Sequence, residues 1–326
     1  MKVALTGASG HLGAALLQEL CKRNIPVKAL IRDDDTRSCN DLPVEIVKGD
    51  LLHPGSLASL MQGCDTVIHC AALISVNGDP KGLVQLTNVE GTRSVIENAL
   101  QAGIKRCIHI SSIHTFQQRP SMGILDESRE PINEKGFAYE RSKLAGQQIA
   151  LEANRKGMEV LVMHPTSIVG PYDHKPSLMG KALIDMYTGK LPFIFNGGFD
   201  FCDCRDVANA ITNSISMGRP GEAYLLGGKW HSLKQLAGIL SKLSGKKINM
   251  IALPAFVAKA GLPVVKLLAL LQKKEPLYTE EALDALFNGN HCISSAKAMN
   301  ELNYSVRPFE ETLSDTFHWF KNKSYL

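Results

Sequence analysis

The stretch Thr6-Gly7-Ala8-Ser9-Gly10-His11-Leu12-Gly13 constrains this chain more than any other. It follows a short apolar run, residues 2–6, and leads into a helical pattern over 12–23. A glycine at position 7 permits a tight turn after the strand. One at position 10 lets backbone N–H groups approach a ligand with no Cβ in the way, and one at 13 lets helix and strand pack closely. A helix N-terminus adds partial positive charge at the same point. The spacing is G-x-x-G-x-x-G. Glycines alone also serve plain turns, but between an N-terminal strand and a helix they read as a dinucleotide pyrophosphate cradle. Thr6, Gly7, Ser9, Gly10, His11, Leu12 and Gly13 are its candidate contacts.

The rest of the first half repeats this alternation. Apolar strand candidates fall at 2–6, 27–32, 44–48, 66–70, 106–111 and 159–164, with helical patterns at 12–23, 56–62, 83–102 and 137–156 between them. Strands too apolar to have a wet face, joined by helices, predict a doubly wound parallel sheet of the α/β class, covered on both faces. Past Gly170 glycines, prolines and aromatics cluster, and helices dominate from Ser232. Residues 1–170 are therefore expected to form a dinucleotide-binding domain of the Rossmann type. Residues 171–326 are expected to form mainly a smaller, mostly helical substrate lobe, with 203–216 returning to the first.

Composition excludes several classes. A net charge of +4 over 326 residues is too small and too evenly spread to argue for nucleic acid or an anionic membrane. Eight scattered cysteines without a C-x-x-C suit a reducing compartment, and the chain is expected to be cytoplasmic. Met1 passes straight into the first strand, which leaves no room for a signal peptide. The apolar stretch 253–272 is interrupted by Lys259 and Lys266 and broken by Pro263, so it reads as buried or cleft-lining helix rather than a membrane span.

At the end of the second strand, Arg32 precedes Asp33 and Asp34. An acidic residue there would bind the ribose 2′-hydroxyl of NAD, whereas an arginine meets a 2′-phosphate. Arg32 comes first and Arg37 adds to it, which favours NADP(H), with NAD(H) left open by the two aspartates. Tyr139 and Lys143 stand four apart at the start of a helical pattern, on one face. Burial would raise a phenol above its usual pKa near 10, and an ammonium at about 4 Å offsets that by roughly 4 kcal/mol at an effective dielectric of 20. Ser111-Ser112 closes the fifth strand facing the same crevice, and one of the pair can polarise a carbonyl oxygen.

These residues identify a resemblance. TGASGHLG, VKGDLLHPGSL, TVIHCAA, NVEGTRSVIENAL, ISSIHT, YERSKLAGQ, HPTSIVGPYDHKPS, the CRDVANA segment and ISSAKAMNELNY span nearly the whole chain. In them it resembles the extended short-chain dehydrogenases/reductases of the NAD-dependent epimerase/dehydratase family. Within these it is most similar to the bacterial dihydroflavonol-4-reductase-like branch, including proteins labelled hopanoid-associated sugar epimerases. The resemblance implies Ser112 as catalytic serine, Tyr139 as acid/base and Lys143 as its activator. It implies Asp50 and Leu51 beside the adenine, Cys70, Ala71 and Ala72 along the cofactor, and Asn88 near the nicotinamide-side strand end. Pro165 and Ile168 would border the nicotinamide and Ser177 would touch the cofactor from the second lobe. Dimerisation through the helices at 83–102 and 137–156 is implied too, and Arg32 falls where NADP-using plant reductases carry arginine.

The chain departs from sugar dehydratases, which carry Thr-Asp-Glu where it has Ser112-Ile113-His114-Thr115. That counts against dehydration, and His114 with Phe116–Gln118 removes the basis for a flavonoid substrate. The expected activity is hydride transfer between NADP(H) and a small-molecule ketone or secondary alcohol, with 253–270 suggesting a lipophilic substrate. Alternatives are a nucleotide-sugar epimerase, weakened by the lack of a base-binding signature, and a non-catalytic NADP-binding sensor, weakened by the intact Ser–Tyr–Lys set. His69, His109 and His164 read as core or rim histidines, and Asp203-Cys204-Arg205-Asp206 as a salt-bridge and capping segment rather than a metal site. Trp230, Phe193 and Phe195 are candidates for a substrate pocket.

Overall fold

The computed structural model describes residues 1–32, 35–191, 193–245, 248, 250–258, 260–262 and 279–326. Strands β1 (Val3–Thr6), β2 (Val27–Ile31), β3 (Val44–Lys48), β4 (Thr66–His69), β5 (Arg106–Ile110) and β6 (Glu159–Pro165) lie within a residue of the expected spans. The helices between them are α1 (His11–Lys22), α2 (Pro54–Met61), α3 (Leu83–Gln85), α4 (Gly91–Gln101) and α5 (Ala138–Glu152). A π turn at Leu86–Glu90 joins α3 to α4, and a 3-10 turn at Ala153–Lys156 follows α5.

Beyond them come β7 (Ser167–Val169), α6 (Leu178–Tyr187), β8 (Phe193–Phe195), β9 (Gly198–Asp203) and α7 (Cys204–Asn213). Then follow β10 (Ala223–Leu226), β11 (Lys229–Ser232), α8 (Leu233–Ser244) and β12 (Ile251–Leu253). The last three helices are α9 (Glu280–Asn288), α10 (Ala296–Leu302) and α11 (Phe309–Asn322).

The main sheet has seven strands in the order β10-β6-β5-β4-β1-β2-β3, all parallel. Alternation along each strand divides the side chains between two cores. Leu5, Ile68, Ile108 and Met163 pack under α1 and α7, while Ala4, Val67, Cys107 and Val160 pack under α2, α4 and α5. Both faces are thereby dry, which is why β1, β2 and β4 are buried throughout and only edge strand β3 is half exposed. The order reverses between β1 and β4, so the ligand crevice of this Rossmann-type sheet opens at their carboxyl ends.

α7 packs on α1, and the sheet also recruits β10 from further along the chain, with Ala298 and Leu302 of α10 on its core. The second lobe carries more strand than its composition suggested: a three-stranded sheet β11-β9-β7 and a two-stranded sheet β12-β8. These pack with α6, α8 and α11 around Leu183, Phe201, Leu240 and Phe317. Most of the apolar stretch 253–272 lies outside the described residues. Among the described residues no helix is long and apolar enough to cross a membrane.

Candidate active site

The glycine loop sits at the switch point. Gly7 has φ +76, and a Cβ there would stand 2.5 Å from the Ala71 nitrogen across the β1–β4 crevice. At Gly13 a Cβ would meet the Gly7 carbonyl oxygen at 2.0 Å, so helix and loop touch backbone to backbone. α1 opens at Gly10 with no side-chain cap and no acidic residue in its first turn. Ser9 and Gly10 are exposed. An uncapped helix N-terminus above bare backbone fits the pyrophosphate of a dinucleotide.

Of the other loop candidates, Thr6 is turned inward: its hydroxyl bonds His69 Nδ1 at 2.8 Å and accepts from Ala71 N at 3.3 Å. Leu12 is buried in the core, and His11 Nε2 bonds the Pro171 carbonyl at 3.0 Å, tying the loop to the second lobe. Arg32 is exposed just past β2, and Asp33 and Asp34 lie outside the described residues. Arg37 is committed to Asp35, donating to its two oxygens at 2.7 and 2.6 Å, and this holds the Asp35 carboxyl below its ordinary pKa. Asp50 accepts from Leu52 N at 2.9 Å, and Leu51 is buried against α4 at Gly91.

Across the crevice, Tyr139 and Lys143 occupy the first turns of α5. The Ser112 hydroxyl, in the turn after β5, accepts from His114 N at 3.2 Å and bears on the Tyr139 phenol, lowering its pKa. Ser111 points the other way and donates to Gln147 Oε1 at 2.9 Å, so Ser112 is the member of the pair that faces the tyrosine. The Lys143 ammonium is buried and donates to the Ile110 carbonyl. Burial pushes that ammonium down to about 8, with Cys70 opposing. Burial also pushes the phenol up to about 12, the Ser112 hydroxyl opposing it and Glu281, Glu140 and Cys70 adding to it. The lowering expected from Lys143 is therefore not what sets this phenol: burial dominates it.

Cys70, Ala71 and Ala72 follow β4 at the same crevice, and burial raises the Cys70 thiol to about 12. Asn88 is carried inward by the π turn. It accepts from Leu73 N at 2.7 Å and donates to Leu73 O and Ser142 Oγ at 2.9 Å, bracing the loop after β4 against α5. π turns of this kind recur where a side chain must be aimed at a site. Pro165 ends β6 buried and Ile168 lies half-buried on β7. Ser177 is taken up locally: its hydroxyl caps α6 through Gly180 N at 3.0 Å and donates to Asp173 Oδ2 at 2.9 Å.

His69, His109 and His164 are all buried. His69 bridges Thr6 and Thr92, and His164 Nδ1 lies 2.9 Å from the Ser112 carbonyl, fixing the strand end that carries the serine. Asp203 caps α7 and shares ion pairs with Arg205 and Arg307, and Arg205 reaches Asp315 on α11. A cavity of about 320 Å³ in the second lobe takes Phe195, Trp230, Leu286, Phe287 and His291 among its walls. Phe193, the third aromatic candidate, is 44% exposed on β8.

Sequence reasoning missed one group. Glu281, in the first turn of α9, is buried and bears on Tyr139. Burial lifts its carboxyl to about 7, with Glu140 adding and His114 and Arg141 opposing. Glu140 also faces His114 Nδ1 at 3.6 Å. Carboxyls thus reach the tyrosine from helices, not from the tetrapeptide after β5 where dehydratases carry theirs. Only the Thr279 cap marks Glu281 in the sequence, and no local signal brings α9 to this cleft.

The sequence profile described as the NAD dependent epimerase/dehydratase family matches residues 3–227. Sterol demethylase protein B of Methylococcus capsulatus is 30% identical over 332 residues, covering 100% of both chains. A Synechocystis sp. protein provisionally named dihydroflavonol 4-reductase is 29% identical, covering 99% of this chain and 95% of its own. The crystal structure of gox2253 superposes with a TM-score of 0.85 at 30% identity over 98% of each chain. Sheet order, glycine cradle and profile agree that the chain belongs to the NAD-dependent epimerase/dehydratase family, the extended short-chain dehydrogenases/reductases.

Proposed function

We propose that the protein is an NADP(H)-dependent carbonyl reductase or secondary-alcohol dehydrogenase working through Ser112, Tyr139 and Lys143. One observation carries the reading: the Ser112 hydroxyl bears on the Tyr139 phenol, one helical turn from a buried Lys143, at the carboxyl ends of the parallel sheet. The nicotinamide, when bound, supplies or takes the hydride. Ser112 then holds the substrate oxygen and orients the phenol, and Tyr139 donates its proton to that oxygen during reduction. Lys143 stabilises the phenolate left behind. The high pKa of the phenol suits an acid that arrives at the reaction protonated. Names of relatives support ketone and alcohol chemistry, since dihydroflavonol 4-reductase and a ketoreductase of Stigmatella aurantiaca are among them. Arg32 supports NADP(H).

An NADPH-oxidation screen over aldehydes, ketones and sterol-like compounds, repeated with NADH, tests this reading. Wild type should consume NADPH with some of them, and Tyr139→Phe should lose that activity by a hundredfold or more, roughly. A Tyr139→Phe protein as active as wild type overturns the assignment. Substrate conversion with no net NADPH consumption would make the protein an epimerase instead.

A further inference from the structure

A line of buried hydrogen bonds runs from the glycine turn to Tyr139, and chemistry fixes the direction of each one. Thr92 has a single hydroxyl proton and gives it to the Asn88 carbonyl at 2.7 Å, a group that only accepts. The Thr92 oxygen must therefore accept from His69 Nε2, 2.9 Å away. Burial lowers His69 to about 3, so its ring is neutral, and a proton on Nε2 leaves Nδ1 as an acceptor. Nδ1 takes the Thr6 hydroxyl proton at 2.8 Å, and the Thr6 oxygen accepts from Ala71 N at 3.3 Å. Every bond points the same way, from Ala71 through Thr6, His69 and Thr92 to Asn88.

The side chain of Asn88 carries the line onward. Its Oδ1 accepts from Leu73 N at 2.7 Å, which orients the amide, and its Nδ2 donates to Ser142 Oγ at 2.9 Å. Ser142 then gives its own proton to the Tyr139 carbonyl at 2.7 Å. Thr6, His69, Asn88, Thr92 and Ser142 are each no more than 3% exposed, so a lost link leaves a buried polar group without its partner. At its start the line lies against the glycine turn, since a Cβ on Gly7 would stand 2.5 Å from Ala71 N. Thr6 and His69 are register partners on β1 and β4, and Ala4 and Val67, one step earlier on the same face, are an apolar pair. A dry core is therefore already sufficient at this face, and the imidazole serves the connection.

We propose that His69 is a positioning residue for Tyr139: in its Nε2–H form it links the glycine turn to the backbone of the tyrosine, holding cofactor cradle and proton donor in one register. This rests on Tyr139 as the acid/base, argued under Proposed function.

Histidine-selective ¹⁵N labelling reads the tautomer without turnover, with His69→Gln identifying the signals. The proton should sit on Nε2 at neutral pH; a proton on Nδ1, or an even mixture, overturns the proposal. Turnover tests the connection through milder cuts at its two ends, Thr6→Val and Ser142→Ala. Each should lower kcat about fivefold, and the double variant about fivefold too, because a line already cut has nothing more to lose. A double variant slowed about 25-fold, the product of two independent losses, or a single variant with the kcat of wild type, overturns the proposal alone. A wild type with the Nε2–H tautomer that turns over no carbonyl compound with either nicotinamide cofactor overturns the reading of Tyr139, and this proposal with it.

Discussion

The Glu281 carboxyl of α9 bears on the Tyr139 phenol of α5 and raises its pKa more than Glu140 does, although Glu140 is the phenol's neighbour in sequence. A negative charge beside a phenol disfavours the phenolate. Glu281 therefore adds to burial in keeping Tyr139 protonated. Glu281→Gln removes the charge and keeps the shape. Ultraviolet difference titration should then show the Tyr139 phenolate forming at lower pH than in wild type, with Tyr139→Phe identifying the signal. An unchanged titration would separate the two residues electrostatically.

The same carboxyl makes stability depend on pH. Its pKa is raised from 4.5 to about 7, so the folded protein holds this proton where the unfolded chain has lost it. The contribution is fully present below pH 4.5 and is lost as pH rises towards 7. Glu281→Gln should abolish this loss, leaving a variant relatively more stable at pH 7.5 than at pH 4.5. Urea midpoints of both proteins across that range measure it, and parallel curves would show that Glu281 is not buried in solution.

The placement of Tyr139 and Lys143 on one face was legible because a helix fixes what four residues of spacing mean, and that of Ser112 because it follows a strand whose direction was known. Local rules do not reach Glu281, which arrives from the far end of the chain through the packing of α9. The edge strand β10 was missed for a related reason: Ala223–Leu226 is a short run followed by Gly227 and Gly228, and only pairing with β6 makes it a strand. Ser177 shows the converse. Its position matched a family pattern, while its hydroxyl is engaged in capping α6, a task that any serine before a helix can take.

The buried histidines pull the pH dependence the other way. Burial lowers His69 to about 3 and His164 to about 4, and His109 well below 6.5. Their contribution is present above pH 6.5 and is lost as pH falls through those values. For His164 alone the shift corresponds to about 3 kcal/mol at neutral pH. His164→Asn keeps an amide near the Ser112 carbonyl but cannot take up a proton. Its stability should fall less than that of wild type between pH 7 and pH 4, and an equally steep fall would place the acid sensitivity elsewhere.

Gly10 and Gly13 should fail differently when given the same methyl group. A Cβ at Gly13 meets the Gly7 carbonyl oxygen at 2.0 Å, backbone against backbone, so α1 must move away from the β1 turn. Gly13→Ala should cost about 3 kcal/mol of stability, visible as a lower denaturation midpoint with no ligand present. At Gly10 the nearest atom is the same oxygen at 3.3 Å, a contact that a small shift relieves, and the residue is exposed. Gly10→Ala should therefore fold with a midpoint close to wild type while binding NADP⁺ at least tenfold more weakly, roughly, because its methyl occupies the approach to the N–H groups of α1. Thermal denaturation with and without NADP⁺ distinguishes the two: a destabilised protein that the cofactor still protects for Gly13→Ala, and a stable one that it no longer protects for Gly10→Ala. If both lose stability alike, Gly10 is a packing glycine and the pyrophosphate cradle must be drawn elsewhere along the loop.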